Sequence, residues 1–195
     1  INGKEINSIL LEDAIKRKIP AVCHFDITHR CNLDCVHCYV VRQNRRELTT
    51  IEVKNILKQI ADAGVIYLTL SGGEMLARRD FFEIASHARE LNFSLKLLTN
   101  GVLITEKIAE QLAALCPEMV AISIYGTNTD IHDGITRVPG SFQKSMSALK
   151  ILKERGVRLK ISTIIMKQNV NEWLGIYKIA KKLGARFHAD YRITP

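Results

Sequence analysis

The stretch CNLDCVHCY, residues 31–39, sets Cys31, Cys35 and Cys38 four and three positions apart on one short segment. Ionised thiols this close together are ligands for zinc or for an iron–sulfur centre. Most protein metal sites are closed by four protein ligands, so a trio leaves one metal position open. A zinc site would be completed by His29 or His37, or the segment would be a structural knuckle. Zinc knuckles, however, pair two C-x2-C hairpins, a pattern that C-x3-C-x2-C does not supply. An iron–sulfur cube suits three cysteines better, because its irons are held by thiolates and one iron then stays open for an exogenous ligand.

The elements that must carry this segment are legible as two alternating periodicities. Short β-rich runs lie at 21–27, 65–70, 93–98, 119–124, 158–165 and 186–191. Between them run helical stripes: Val53, Ile56, Leu57, Ile60 and Ala61; Phe81, Ile84, Ala85, Ala88 and Leu91; Ile104, Ile108, Leu112 and Leu115; Ala148, Leu149 and Leu152; Trp173, Ile176, Tyr177, Ala180 and Leu183. Asp80 with Glu83 three residues on reads as a capping box opening the second of these. An amphipathic segment at about 6–17 precedes the first strand. Strands with a helical segment in every gap predict a parallel α/β sheet, since parallel neighbours need crossover connections.

The unusual polar motifs then fall together. The cysteine segment follows the first strand, SGGE (71–74) the second and TNG (99–101) the third. SIYG (123–126) closes the fourth, MKQN (166–169) follows the fifth and RITP (192–195) the sixth. All of them are at the carboxyl ends of the strands, where parallel α/β proteins bind ligands.

Composition narrows the function classes. With 195 residues the chain has room for one sizeable core, and no apolar run approaches the ~20 residues of a membrane span. Five cysteines without an export signal argue for metal chemistry in a reducing cytoplasm rather than for disulfides. The net charge of +8 would suit an anionic partner such as RNA. But the basic runs at 16–18, 78–79 and 181–182 are scattered and read as solvated faces. Of the arginines, Arg42, Arg45 and Arg46 sit close to the cysteine segment, and aromatics for base stacking are sparse. Neither nucleic acid nor a membrane is expected as a partner.

CNLDCVHCY after a first strand, SGGE after a second and SIYG on a fourth together resemble the radical S-adenosylmethionine (SAM) enzymes, over about residues 20–195. The resemblance implies a partial, open (β/α)6 TIM-type barrel, with residues 1–18 as a helical extension and 19–195 as the core domain. It implies a [4Fe–4S] cluster on Cys31, Cys35 and Cys38, with the methionine amine and carboxylate of SAM on the fourth iron. One electron entering the sulfonium then releases a 5′-deoxyadenosyl radical that takes hydrogen from a substrate, the cofactors carrying the hard step. Gly72 and Gly73 would let backbone approach the methionine moiety, and Glu74 would accept from its ammonium. Ser123 resembles the position bonded to the SAM ribose or carboxylate. Arg137 resembles one reaching the methionine carboxylate, the alternative being a surface arginine. Asn100 either contacts the ribose or caps its loop with Gly101. His37 stands where relatives often carry an aromatic residue beside the adenine. Tyr125, His132 and Lys167 are rim positions open to substrate, and Cys23 and Cys116 are expected as buried small hydrophobes.

The run SIYGTNTDIHDGITRVPGSF and the final FHADYRITP resemble the branch that modifies ribosomal peptides and carries a cysteine-rich C-terminal (SPASM-type) domain. The chain, which begins with Ile, is therefore expected to be the core of a longer protein. A peptide or protein substrate and an electron donor such as flavodoxin or ferredoxin are the implied partners. Tetrapyrrole or other cofactor maturation is the alternative within enzymes, and a non-catalytic zinc-binding module the alternative outside them.

Overall fold

The structure is a computed structural model and describes residues 3–40 and 46–191, with side chains from residue 8 onward. Arg42, Arg45 and the RITP segment lie outside the described residues. Six strands form one sheet in chain order: β1 (Val22–Asp26), β2 (Tyr67–Ser71), β3 (Ser94–Thr99), β4 (Met119–Ser123), β5 (Leu159–Ile164) and β6 (Arg186–Asp190). Every neighbouring pair is parallel. β1 and β6 stay at the two edges, so the barrel is open, as the resemblance implies.

Helices return the chain between strands: α1 (Gly3–Lys16) ahead of β1, then α2 (Thr50–Asp62), α3 (Phe81–Glu90), α4 (Glu106–Ala114), α5 (Thr129–Thr136), α6 (Ser141–Glu154) and α7 (Trp173–Leu183). None of the described helices is long and apolar enough to cross a membrane. The stripes read from the sequence do the packing. Val53, Leu57, Ile84, Ala88, Leu112, Leu149, Leu152, Ile176 and Ala180 are fully buried against Leu68, Leu70, Leu95, Leu97, Val120, Ile122 and Ile161 of the strands. Each of the valines, leucines and isoleucines among them contributes about 1.5–3 kcal/mol.

Parallel strands covered on both faces would be apolar throughout. Here β3 and β5 alternate instead, Leu95, Leu97, Leu159 and Ile161 turning to the helices while Lys96, Leu98, Lys160 and Ser162 are half-buried on the other face. That alternation creates a polar interior wall, and the site is built on it.

Two local expectations are corrected. Asp80 caps nothing: its carboxylate takes Arg78 Nε at 2.8 Å, Arg78 Nη2 at 2.9 Å and Thr50 Oγ1 at 2.6 Å, while Glu83 pairs with Lys54 Nζ at 2.6 Å. A capping box forms instead at Thr49 and Glu52, opening α2. Likewise α5 adds a second helix between β4 and β5, started by Asn128 Oδ1, which accepts from Ile131 N at 3.0 Å.

Candidate functional site: a cysteine-lined cavity at the strand carboxyl ends

A cavity of about 520 Å³ opens at the rim. Cys31, Cys35, Cys38, His37, Gly72, Gly73, Asn100, Ser123 and Tyr125 all line it, so residues from four loops meet as the motif positions predicted.

The cysteine loop is held from both sides. On the β1 side, Thr28 Oγ1 donates to Glu47 Oε1 at 2.6 Å, His29 N donates to the same oxygen at 3.2 Å, and Arg30 pairs with Glu47 at 3.2 Å. On the other, Asp34 N and Val36 N each donate at 3.0 Å to the carbonyls of Thr136 and Ile135, at the carboxyl end of α5. The helix missing from the sequence reading thus braces the loop. Burial pushes the Cys35 thiol up to about 12, with Cys31 and Cys38 beside it adding to the effect. A thiol held as Cys35 is ionises only with a compensating cation. Among the described residues no three His, Cys, Asp or Glu side chains converge as on a single ion.

Gly72 and Gly73 line the cavity, and the contacts that require glycine there are with the cysteine loop itself. A Cβ on Gly72, at φ +146°, would stand 2.4 Å from the carbonyl oxygen of Thr28, and one on Gly73 2.4 Å from that of Arg30. The two loops are stitched by Gly73 N to Thr28 O at 2.8 Å and Glu74 N to Arg30 O at 2.7 Å. The Glu74 side chain turns the other way and is 1% exposed. It accepts from Thr99 Oγ1 at 2.7 Å, Asn100 N at 2.7 Å and Leu76 N at 3.1 Å. Burial raises its pKa and these donors oppose the rise. It ties the β2 loop to the β3 loop and is not on the cavity wall.

Asn100 has a double role. Oδ1 accepts from Val102 N at 2.9 Å, closing its own turn, while Nδ2 donates to Asn32 Oδ1 at 2.8 Å. Tyr125 connects the remaining pieces. Its hydroxyl is 3.2 Å from His37 Nε2, the two rings meeting edge-on at 4.7 Å. Its amide donates at 3.1 Å to Nδ1 of the buried His132, whose imidazole is held neutral, its pKa lowered to about 4 by burial. Two polar atoms on residues of the cavity wall, His37 Nδ1 and Thr163 Oγ1, are buried without a hydrogen-bond partner in the described structure. Orphans of this kind are where a ligand is expected to bond.

Three other candidates lie off the cavity. Arg137, the left-handed residue closing α5, is 59% exposed at its side chain and pairs with Asp34 of the cysteine loop at 3.7 Å. Lys167 is exposed, and Arg46 pairs with Glu52 at 3.0 Å. Cys116 is also exposed, correcting its expected burial: it follows the end of α4 at φ +46°, which turns the thiol outward. Cys23 packs against the core as expected.

The sequence reading missed two clasps. Asn169 Nδ2 donates to the carbonyls of Ile164 at 2.9 Å and Tyr125 at 3.0 Å, locking the ends of β4 and β5 together. Arg78, read as solvated charge, is 6% exposed and donates to the carbonyls of Ile27 at 2.7 Å and Leu48 at 2.8 Å, clamping both ends of the cysteine loop.

An open parallel α/β sheet with three cysteines and a glycine loop on one rim defines a cofactor-binding domain of the cysteine-ligated class. Residues 25–180 match the family model described as Radical SAM superfamily, and the chain belongs to that family. Its members use a [4Fe–4S] cluster and SAM. Among curated relatives, the chain is 34% identical over 179 residues to an AdoMet-dependent heme synthase of Methanosarcina barkeri, covering 90% of this chain and 51% of the relative. It is 36% identical over 178 residues to the mycofactocin maturase MftC of Mycolicibacterium smegmatis, covering 90% and 44%. The chain thus spans about half the length of the curated relatives it matches. Among solved structures, SuiB of Streptococcus suis bound to S-adenosylmethionine superimposes with a TM-score of 0.81 at 21% identity, over 94% of this chain and 44% of that one.

Proposed function

We propose that this domain is the catalytic core of a radical SAM enzyme that starts hydrogen abstraction from a ribosomally made peptide or protein. The observation that carries the reading is the cavity itself, which three cysteines line together with Gly72, Gly73, Asn100 and Ser123. Cys31, Cys35 and Cys38 would hold a [4Fe–4S] cluster, and the donor set fits: three thiols line one cavity and leave one iron without a thiolate. When bound, cluster and SAM supply the electron and the cleavable sulfonium from which the adenosyl radical comes.

The chain's own residues bind and orient. Backbone of Gly72 and Gly73 would border the methionine moiety, Ser123 would bond the ribose or carboxylate, Asn100 would contact the ribose, and His37 Nδ1, without a partner in the described structure, would meet the adenosyl group. Glu74 acts through the β3 loop, and Arg137 holds the cysteine loop through Asp34. Residues 1–18 serve as a helical extension to the core, the electron comes from a flavodoxin or ferredoxin, and the domain works in the cytoplasm.

The peptide reading draws on the identity to mycofactocin maturases and, at 32% over 164 residues, to a PqqA peptide cyclase. A tetrapyrrole substrate is the second reading, favoured by the 34% identity to an AdoMet-dependent heme synthase. The test is anaerobic reconstitution with iron and sulfide, then SAM and dithionite, with 5′-deoxyadenosine measured by chromatography. A brown protein that releases it supports the proposal. A colourless zinc protein that releases none overturns it.

A further inference from the structure

The cavity has two unlike walls. The cysteines, the glycine loop and Asn100 belong to loops after β1, β2 and β3, whereas Lys160, Ser162 and His188 come from β5 and β6. That second wall is uncommitted. The side chains of Lys160, Ser162 and His188 make no hydrogen bond or ion pair with any described residue, although the residues of the rim are densely bonded.

Lys160 is the anomaly. It stands half-buried on the interior face of β5, and the charges nearest to it are of its own sign. Arg186 is its register partner on β6, and Lys96 is close on β3. Lys96 is already matched, by Glu118 at 3.5 Å and by the Tyr67 ring 5.4 Å from its ammonium. Neither Asp26, which is off the cavity lining, nor Asp190, the carboxylate on it, serves Lys160. Asp26 is engaged by His24 at 3.1 Å and by the Tyr39 hydroxyl at 3.4 Å. Asp190 is level with Ile164, four residues further along the strand, a separation of about 13 Å. Burial, then Lys96 and Arg186, lower the Lys160 pKa. A cation in this position gains most from an anion that arrives with the ligand, because closing the cavity over it unpaired would deepen its desolvation.

We infer that Lys160 is a specificity-determining residue that binds a carboxylate of the substrate, with Ser162 and His188 as flanking hydrogen-bond donors. The inference rests on the radical SAM reading and adds the substrate's chemistry to it: an acidic side chain of a peptide, or a propionate of a tetrapyrrole. The arrangement puts the carboxylate anchor across the cavity from the cysteines, so the substrate would lie between the anchor and the cofactor side.

The test is equilibrium binding to protein carrying cluster and SAM, using four probes: a short peptide with a central Glu, the same peptide with Gln, the same peptide with Lys, and coproporphyrin III. The Glu peptide is expected to bind at least about tenfold more tightly than the Gln peptide. Lys160→Met should abolish that preference, Lys160→Arg should restore most of it, and Lys160→Glu should turn it towards a Lys-bearing peptide. If coproporphyrin III alone depends on Lys160, the carboxylate anchor stands and the peptide reading falls. Should neither the Glu peptide nor the porphyrin respond to Lys160→Met, the inference is overturned. A loss of SAM affinity in Lys160→Met as large as the loss of probe affinity would also overturn it, by assigning the lysine to the cofactor.

Discussion

Glu74 separates two accounts of its motif, one in which it touches SAM and one in which it positions the loops that do. In the structure its carboxylate, 1% exposed, is the acceptor for three donors, two of them the buried Thr99 Oγ1 and Asn100 N at 2.7 Å. Glu74→Ala strands both. Each unsatisfied buried donor costs about 1–3 kcal/mol, so the pair costs about 2–6 kcal/mol. The lower half of that range is expected, because the substitution also removes a carboxylate whose ionisation burial disfavours. At about 3 kcal/mol, and 2–4 °C per kcal/mol in a chain of this length, the melting temperature should fall by about 6–12 °C. Glu74→Gln keeps the oxygen that meets Thr99 and turns an amide N–H2 towards Asn100 N, so it should fall by about half as much. SAM affinity should decline in step with melting, since the Asn100 loop loses its anchor. Thermal unfolding and calorimetric SAM binding on both variants decide the matter. Wild-type melting within about 2 °C combined with a tenfold loss of SAM affinity would refute the positioning role.

Three further outcomes follow from the same geometry. Gly73→Ala puts a Cβ 2.4 Å from the Arg30 carbonyl oxygen and 2.7 Å from its carbon, both backbone atoms that move only with the cysteine loop; iron uptake on reconstitution should drop several-fold, and full uptake would contradict the close approach. Asp80 has its pKa lowered to about 2, first by its hydrogen bonds from Arg78. Its contribution to stability is therefore complete above 3.8 and lost as the pH falls towards about 2, so Asp80→Asn should flatten that part of the acid-unfolding curve; an unchanged curve would contradict the pairing. In cluster-loaded protein a thiol reagent should modify the exposed Cys116 well before Cys23, whose thiol burial pushes up; mass spectrometry showing Cys23 modified first would contradict the assignment of exposure.

What was legible in the sequence was what is local or periodic. The strands stand within two residues of the alternating runs, because the pattern that buries Leu95 and Leu97 is the same pattern that defines a strand. The cysteine loop was legible because thiols at that spacing have few other uses. Arg78 was not, since a guanidinium bonded to carbonyls 51 and 30 residues away has the same letters as one in water. The Asp80–Glu83 pair imitates a capping box, and the competing Arg78 lies just outside the four-residue motif. α5 escaped notice because its buried face is His132, Ile135 and Thr136, a stripe with one aliphatic residue. The direction the Glu74 side chain takes was not legible either, because it depends on Thr99 and Asn100, which lie outside its motif.

The central claim is that Cys31, Cys35 and Cys38 hold one [4Fe–4S] cluster whose fourth iron is open to SAM. Electron paramagnetic resonance of the reduced, reconstituted protein, recorded with and without SAM beside iron and sulfide analysis, tests it most directly. The account predicts one cubane per chain, a signal that changes when SAM is added, loss of that signal in each of Cys31→Ala, Cys35→Ala and Cys38→Ala, and its retention in Cys23→Ala and Cys116→Ala. Full iron in any one of the three loop variants, or a spectrum that SAM leaves unmoved, would contradict it.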